Sequence, residues 1–326
     1  MSDKASDESF AAISVTSTNK SLQEVDTPAL GDLSEKDKVW DKHRANSDRV
    51  SEYYAKSPYR KYSQRITFCS ELLGFKLAPD QAEGAYKLKL SAARFCRVRH
   101  CPLCQWRRSL MWKAKAYKVL PRVVQQYPKH RWLFLTLTVK NCPIQELRKA
   151  LEWMNQSFKR LTKLKLWPGD GWVKSTEVTR GKDSSAHPHF HCLLMVSASY
   201  FSGQDYLSQV KWAELWQRCL RIDYQPITHV RAIAKHHDPQ VIVPEILKYQ
   251  VKESDLVADR EWFLELTKQL HKTRAVAVGG VLRKYMKELE EEPEDLIGES
   301  NDPDEVDEGS LYFGWKRQQK KYRLVD

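Results

Sequence analysis

No stretch of the 326-residue sequence approaches the ~18 consecutive apolar residues of a membrane span, which excludes a helical integral membrane protein. The N-terminus, MSDKASDESF, has neither the basic start nor the apolar core of a secretion signal, so a soluble cytoplasmic protein is expected. A paired cysteine framework is missing as well. The cysteines number seven, and Cys96, Cys101 and Cys104 crowd into nine residues, a pattern that suits a reducing compartment and metal binding better than secreted disulfides. Aromatics are scarce at the start of the chain, with only Phe10, Trp40, Tyr53 and Tyr54 in the first 55 residues. Residues 1–58 are therefore expected to form a disordered tail with at most a short helix near 35–55.

Lys and Arg are absent from residues 288–308, which hold twelve Asp and Glu. The net charge of +12 therefore understates the basic surface elsewhere; without that segment the acids fall from 42 to 30 against 54 bases, a net charge of +24. A polyanion is the partner this implies, and nucleic acid is the leading one. The acidic segment itself reads as a linker. With 41% hydrophobic residues and eleven tryptophans the chain is globular, and its length suits two compact units.

Periodicity orders the middle of the chain. RWLFLTLTV (131–139) reads as a strand and PIQELRKALEWMNQSFKRLTKL as an amphipathic helix. GWVKSTEVT (171–179) and HFHCLLMVS (189–197) read as two strands joined by RGKDSSAHP. QDYLSQVKWAELWQRCLRI is a second helix and PITHVRAI a short strand. The fold class is thus α+β, with an antiparallel sheet in βαββαβ order of the ferredoxin or RNA-recognition type. The expected divisions are a Cys-rich module over 59–125, this core over 126–275, and a C-terminal helix, acidic segment and tail over 276–326. VPEILKYQVKESDL is expected to be one helix starting at Pro244, because Val243 before proline is biased away from helix. That helix would carry Glu245, Tyr249 and Lys252 on one stripe.

Three clusters carry chemistry. In HPHFHCLLMV, His189 and His191 project from one face of the strand while Phe190 points to the other. Glu177 on the preceding strand completes a His, His, Glu set for a divalent cation such as Mg²⁺ or Mn²⁺, with His187, expected outside the strand proper, as a further candidate ligand. In FCRVRHCPLCQWRR, Cys96, Cys101 and Cys104 have zinc-knuckle spacing; Cys69 is the expected fourth ligand of a structural Zn²⁺ and His100 the fallback. Such a site would set Arg94, Arg97, Arg99, Arg107 and Arg108 against a DNA backbone, with Trp106 and Trp112 for stacking. A basic helix is by itself often only a solvated face, and one tyrosine of fourteen is seldom a nucleophile. The third cluster, EILKYQVKESD (245–255), gains weight from the metal face that precedes it.

In their order, FCRVRHCPLCQWRRSL (95–110), FLTLTVKN (134–141), HPHFHCLLMV (187–196), DYQPITHVR (223–231), EILKYQVKESD and VGGVLRKYMKELE (278–290) closely resemble the single-tyrosine rolling-circle plasmid replication initiators of the HUH endonuclease superfamily. The resemblance covers roughly residues 60–325. It implies a prokaryotic plasmid protein that binds the double-strand origin, single-stranded at the nick, and cuts one strand. Tyr249 would be the nucleophile, leaving a 5′-phosphotyrosyl link and a 3′-hydroxyl primer; His189, His191 and Glu177 would hold the metal. Termination would follow by strand transfer or hydrolysis, Glu245 activating water for the closing cleavage because an enzyme with one tyrosine has no second phenol, and Lys252 would stabilise a phenolate or the phosphotyrosine. A host helicase and a DNA polymerase are the implied partners, and a dimer on the origin is left open. The competing readings are an HUH relaxase or transposase, and a non-catalytic zinc protein that regulates an origin or promoter.

Overall fold

The computed structural model of the chain describes residues 27–79, 86–234, 239–247, 250–288 and 309–325. It is an α+β structure with two antiparallel sheets. The helices are α1 (Leu30–Leu33), α2 (Val39–Ala55), α3 (Arg60–Thr67), α4 (Pro102–Gln126), α5 (Leu147–Leu161), α6 (Gln209–Leu220), α7 (Val243–Ile246), α8 (Glu253–Ala258), α9 (Arg260–Gln269) and α10 (Leu282–Glu288). The strands are β1 (Leu72–Pro79), β2 (Tyr86–Ala93), β3 (Arg131–Thr138), β4 (Gly169–Arg180), β5 (Ala186–Val196), β6 (Thr228–Ala232), β7 (Val276–Gly280), β8 (Ser310–Lys316) and β9 (Lys321–Val325).

The alternation read in the sequence builds the five-stranded sheet, ordered β6-β3-β5-β4-β7. Leu133, Leu135 and Leu137 of β3 share a face with Phe190, Cys192 and Leu194 of β5, and pack with Met154 and Phe158 of α5 and Trp212 and Trp216 of α6. Trp132, Phe134, Leu193 and Met195 point the other way and meet Val119 and Val123 of α4, Ile246 of α7 and Leu282 of α10. That second cover occupies one end of the face only; toward the other end the same face carries Glu177, His189 and His191. The expected βαββαβ run is present, with strand order last, first, third, second, and β7 extends the sheet beside β4.

One lysine is buried on the face covered by α5. Lys174 is 5% exposed; its Nζ donates to Asn155 Oδ1 at 2.5 Å and lies 3.7 Å from the Phe190 ring centroid. Burial pushes its pKa from 10.5 down to about 8. The unfolded chain takes up this proton below about pH 10.5 and the folded chain only below about 8, so the stability tied to this group is full above pH 10.5 and falls as pH drops toward 8. The loss should reach ~3 kcal/mol, at ~1.4 kcal/mol per unit. Lys174→Met should therefore be more stable than wild type at pH 8 and level with it near pH 10.5. Urea unfolding of both proteins at the two pH values checks this; a difference independent of pH would contradict it.

The second sheet, ordered β2-β1-β8-β9, corrects the expected divisions. β8 and β9, from the end of the chain, add to the hairpin of the Cys-rich module: Leu73 pairs with Phe313, and Phe313 with Leu324. Nor are residues 27–58 a disordered tail. α2 buries Trp40, Arg44, Val50 and Tyr54; Arg44 pairs with Asp48 at 2.7 Å, and Trp315 Nε1 donates to Asp48 Oδ2 at 2.8 Å. Its polar composition hides an inner stripe covered chiefly by α3 and α4, with α8, α9 and β9 also against it. Residues 1–26 and the acidic stretch 289–308 lie outside the described residues. Among the described residues no helix is long and apolar enough to cross a membrane.

Candidate active site and cysteine centre

Strand register brings the first cluster together. Glu177 of β4 stands directly opposite His189 of β5, and Thr136 of β3 opposite His191. Antiparallel partners share a face, so Glu177, His189 and His191 meet there. Glu177 Oε2 lies 3.0 Å from His189 Nε2 and 2.8 Å from His191 Nε2. Glu177 is 3% exposed and His191 8%. His191 is further fixed by Phe134, stacked at 5.6 Å, and by Thr136 Oγ1, 3.3 Å from its Nδ1.

The donor set fits a cation. His189 Nδ1 lies 3.3 Å from the His187 carbonyl oxygen, which can only accept, so Nδ1 carries the proton. In the neutral ring Nε2 then offers a lone pair toward the Glu177 carboxylate, and two acceptors at that distance need a positive charge between them. Ligands about 2.1 Å from an octahedral ion stand about 3.0 Å apart, close to the distance of Glu177 Oε2 from each histidine nitrogen. Three protein donors would leave further positions of such an ion open.

His187 falls within β5 and not outside it, on the same face as His189, with ring centroids 5.3 Å apart. Pro188 did not end the strand, because β3 pairs no further than His189 and the missing N–H falls where that ladder has stopped. His187 is not part of the group whose ligand atoms converge. Burial, and then His189, lower its pKa.

The segment after the metal face departs from expectation. α7 ends at Ile246, Val251 forms a parallel bridge with Val178, and Lys252 precedes α8 as an exposed N-cap residue in extended conformation. The single helix from Pro244 is not formed, so Glu245 and Lys252 share no stripe. Tertiary partners explain the break. The Val178 N–H donates to the Gln250 carbonyl at 2.8 Å, and Arg99 donates to Gln250 Oε1 through Nε (3.2 Å) and Nη2 (2.7 Å). These bonds hold Gln250 against β4 in place of a helical ladder. Tyr249 itself lies outside the described residues. Glu245 pairs with Arg231 of β6 at 3.0 Å, an exposed contact at the edge of the sheet and three strands from β4.

The second cluster forms as read. Cys69 follows α3, Cys96 follows β2, Cys101 caps α4 and Cys104 lies in its first turn. A tetrahedral Zn²⁺ with sulphurs about 2.3 Å away sets them about 3.8 Å apart. The observed separations are 3.6 Å for Cys69–Cys104, 3.6 Å for Cys96–Cys104 and 3.8 Å for Cys101–Cys69. Backbone N–H groups of Cys96 and Val98 donate to Cys69 and Cys96 sulphurs, each at 3.4 Å. Without a cation the four sulphurs cannot all ionise: contact with Cys101 holds Cys69 and Cys96 well above the usual thiol range. Burial opposes charge on Cys101 as well, yet contacts from Cys104, Cys69 and Cys96 draw it well below that range. His100 is excluded as the fourth ligand, being buried against Phe263 with both ring nitrogens unpartnered and its pKa pushed down by burial to about 3.

Several residues assigned to DNA are otherwise engaged. Trp106 is partly buried against the core, stacking on His43 at 4.8 Å and meeting Trp40 edge-on at 4.7 Å, so its packing inside the protein takes up ring surface that a base would need. Arg107 lies over Trp40, Phe95 and Trp106. Arg108 donates to the carbonyls of Arg99, Arg97 and Val98, shaping a loop in which Arg97 has φ 56°. Arg94 and Arg97 are exposed. Sequence reading missed Thr136, Arg231 and Gln250; the register of β3 and β6 against β5 could have suggested the first two, but nothing local marks Gln250.

Residues 87–323 match the Rep_1 family model, described as replication protein. The chain is 35% identical over 275 residues to Protein rep of Lactiplantibacillus plantarum, covering 79% of this chain and 84% of that protein. It is 32% identical over 288 residues to Protein rep of Lentilactobacillus hilgardii (84% and 90%) and 31% identical over 299 residues to Protein rep of Streptococcus pneumoniae serotype 2 (88% and 92%). No solved structure matches the chain.

Proposed function

The chain belongs to the Rep_1 family of replication proteins, the plasmid initiators its motifs resemble, and from that premise we propose that it starts rolling-circle replication by nicking one strand of the double-strand origin. The observation that carries this reading is the convergence of Glu177, His189 and His191 on one face of an HUH-type sheet, beside the point where Val178 holds Gln250. Gln250 is the residue that follows Tyr249 in the chain.

Glu177, His189 and His191 would hold a Mg²⁺ or Mn²⁺, which when bound polarises the scissile phosphodiester as a Lewis acid. The Tyr249 oxygen attacks phosphorus; a tyrosyl O–P bond forms, the P–O3′ bond breaks, the phenolic proton passes to solvent, and the leaving 3′-oxygen takes a proton from solvent to become the hydroxyl. That hydroxyl primes synthesis by the host polymerase once a helicase opens the duplex. Glu245, paired with Arg231, takes a proton from water in the closing cleavage. The work is cytoplasmic, on plasmid DNA.

A labelled single-stranded origin oligonucleotide tests the reading. Wild type with Mn²⁺ should nick it, EDTA should stop the reaction, and Glu177→Ala should nick at least ~100-fold more slowly, since the metal supplies several kcal/mol. Equal cutting by Glu177→Ala would overturn the metal assignment. Binding without any cutting would favour the non-catalytic zinc regulator. Glu245→Ala should keep the first nick and accumulate uncleared protein–DNA adduct; if it fails to nick at all, the division of roles between Glu245 and Tyr249 falls.

A further inference from the structure

Between the cysteine loop and Leu247 and Gln250 lies a cavity of about 320 Å³, within the range of small-ligand sites. Its walls include Arg97, Arg99, Arg108, Trp112, Gln250 and Thr273. Arg99 and Arg108 meet here without an acidic partner among the described residues. The hydrogen bonds of Arg99 go to Gln250 Oε1 and to the Thr273 carbonyl and hydroxyl, and those of Arg108 to three carbonyls, all neutral acceptors.

Gln250 adds an independent sign. It is 9% exposed, its Oε1 is taken by Arg99, and its Nε2 has no partner. Because Arg99 can only donate, the amide orientation is fixed and the unpaired atom is a donor. A buried N–H left unpaired is costly, so a wall of arginines with a spare amide donor suits an anionic oxygen. Trp112 gives the same cavity an aromatic side chain, which a bare phosphate would not need.

We propose that this cavity takes one nucleotide of the single-stranded origin DNA next to the scissile phosphate, its phosphate held by the arginines and Gln250 Nε2 and its base stacked on Trp112. The cysteine loop is then a wall of the substrate site, and Arg99, lying between Cys96 and Cys101, positions Gln250. The proposal rests on the nicking reading.

The test uses full-length protein and an oligonucleotide spanning the nick, with one abasic residue placed at each flanking position in turn. For wild type, one adjacent position should raise the KM for nicking about ten-fold, the lower end of a lost base–aromatic stack. Trp112→Ala should raise the KM equally on the intact strand and show no further loss at that position. Gln250→Glu keeps an acceptor for Arg99 while replacing the spare donor with a charge that repels phosphate. It should retain zinc and the wild-type melting temperature, yet bind the oligonucleotide about ten-fold more weakly. Additive losses for Trp112→Ala at every position, or wild-type binding by Gln250→Glu, would overturn the proposal while leaving wild-type nicking intact. Absence of nicking by wild type would instead remove the reading beneath it.

Discussion

Tyr249→Phe should bind origin DNA like wild type and lose nicking by at least about a thousand-fold. The substitution deletes one oxygen, which the proposed reaction uses as its nucleophile. Leu247 and Gln250 nearby in the chain keep their own anchors in the apolar cluster and on Arg99. Stability should therefore be unchanged. Metal binding by Glu177, His189 and His191 should be unchanged too, so the loss falls on the rate and not on affinity. The decisive readout is covalent: wild type should leave a DNA fragment that migrates with protein in denaturing gels, and Tyr249→Phe none. An adduct of wild-type yield from Tyr249→Phe would move the nucleophile to another residue and leave the sheet face as a metal site without its assigned partner.

The metal face was legible because it depends on short-range facts. Strand alternation put His189 and His191 on one side, and the hairpin read through RGKDSSAHP brought Glu177 beside them; in the structure both strands run further, leaving five residues between them and Glu177 opposite His189. The four cysteines were legible for a related reason: thiol spacing around one tight turn, with a fourth sulphur just before the neighbouring hairpin. What escaped the sequence depends on distant partners. Arg99 takes hold of Gln250 from 151 positions away, and that contact breaks a helix that local pattern favoured. Trp106 appeared available for DNA because α2, which supplies Trp40 and His43, was read as tail. β8 joins β1 across more than two hundred residues and an acidic stretch that carries no strand pattern. Each miss is a tertiary contact overriding local propensity.

Loss of the cysteine centre should reach further than its distance from the metal face suggests. The protein should carry one zinc per chain, and Cys104→Ser should lower that content and melt the two-sheet structure at a markedly lower temperature. Structural zinc is worth ~10–16 kcal/mol in small peptides, comparable with the ~5–15 kcal/mol of a whole domain, so one missing ligand is enough. The cluster lies inside the core that joins α2, the β1-β2-β8-β9 sheet and α9, which would loosen together. Nicking should fall as well, although Glu177, His189 and His191 are untouched, because the loop between Cys96 and Cys101 carries the Arg99 that holds Gln250. Metal analysis, thermal melting and nicking assays on the same preparations separate the steps. Should Cys104→Ser retain wild-type melting and no zinc be found in either protein, the four sulphurs are reduced packing groups, and the coupling from zinc loop to catalytic segment reduces to the Arg99–Gln250 contact alone.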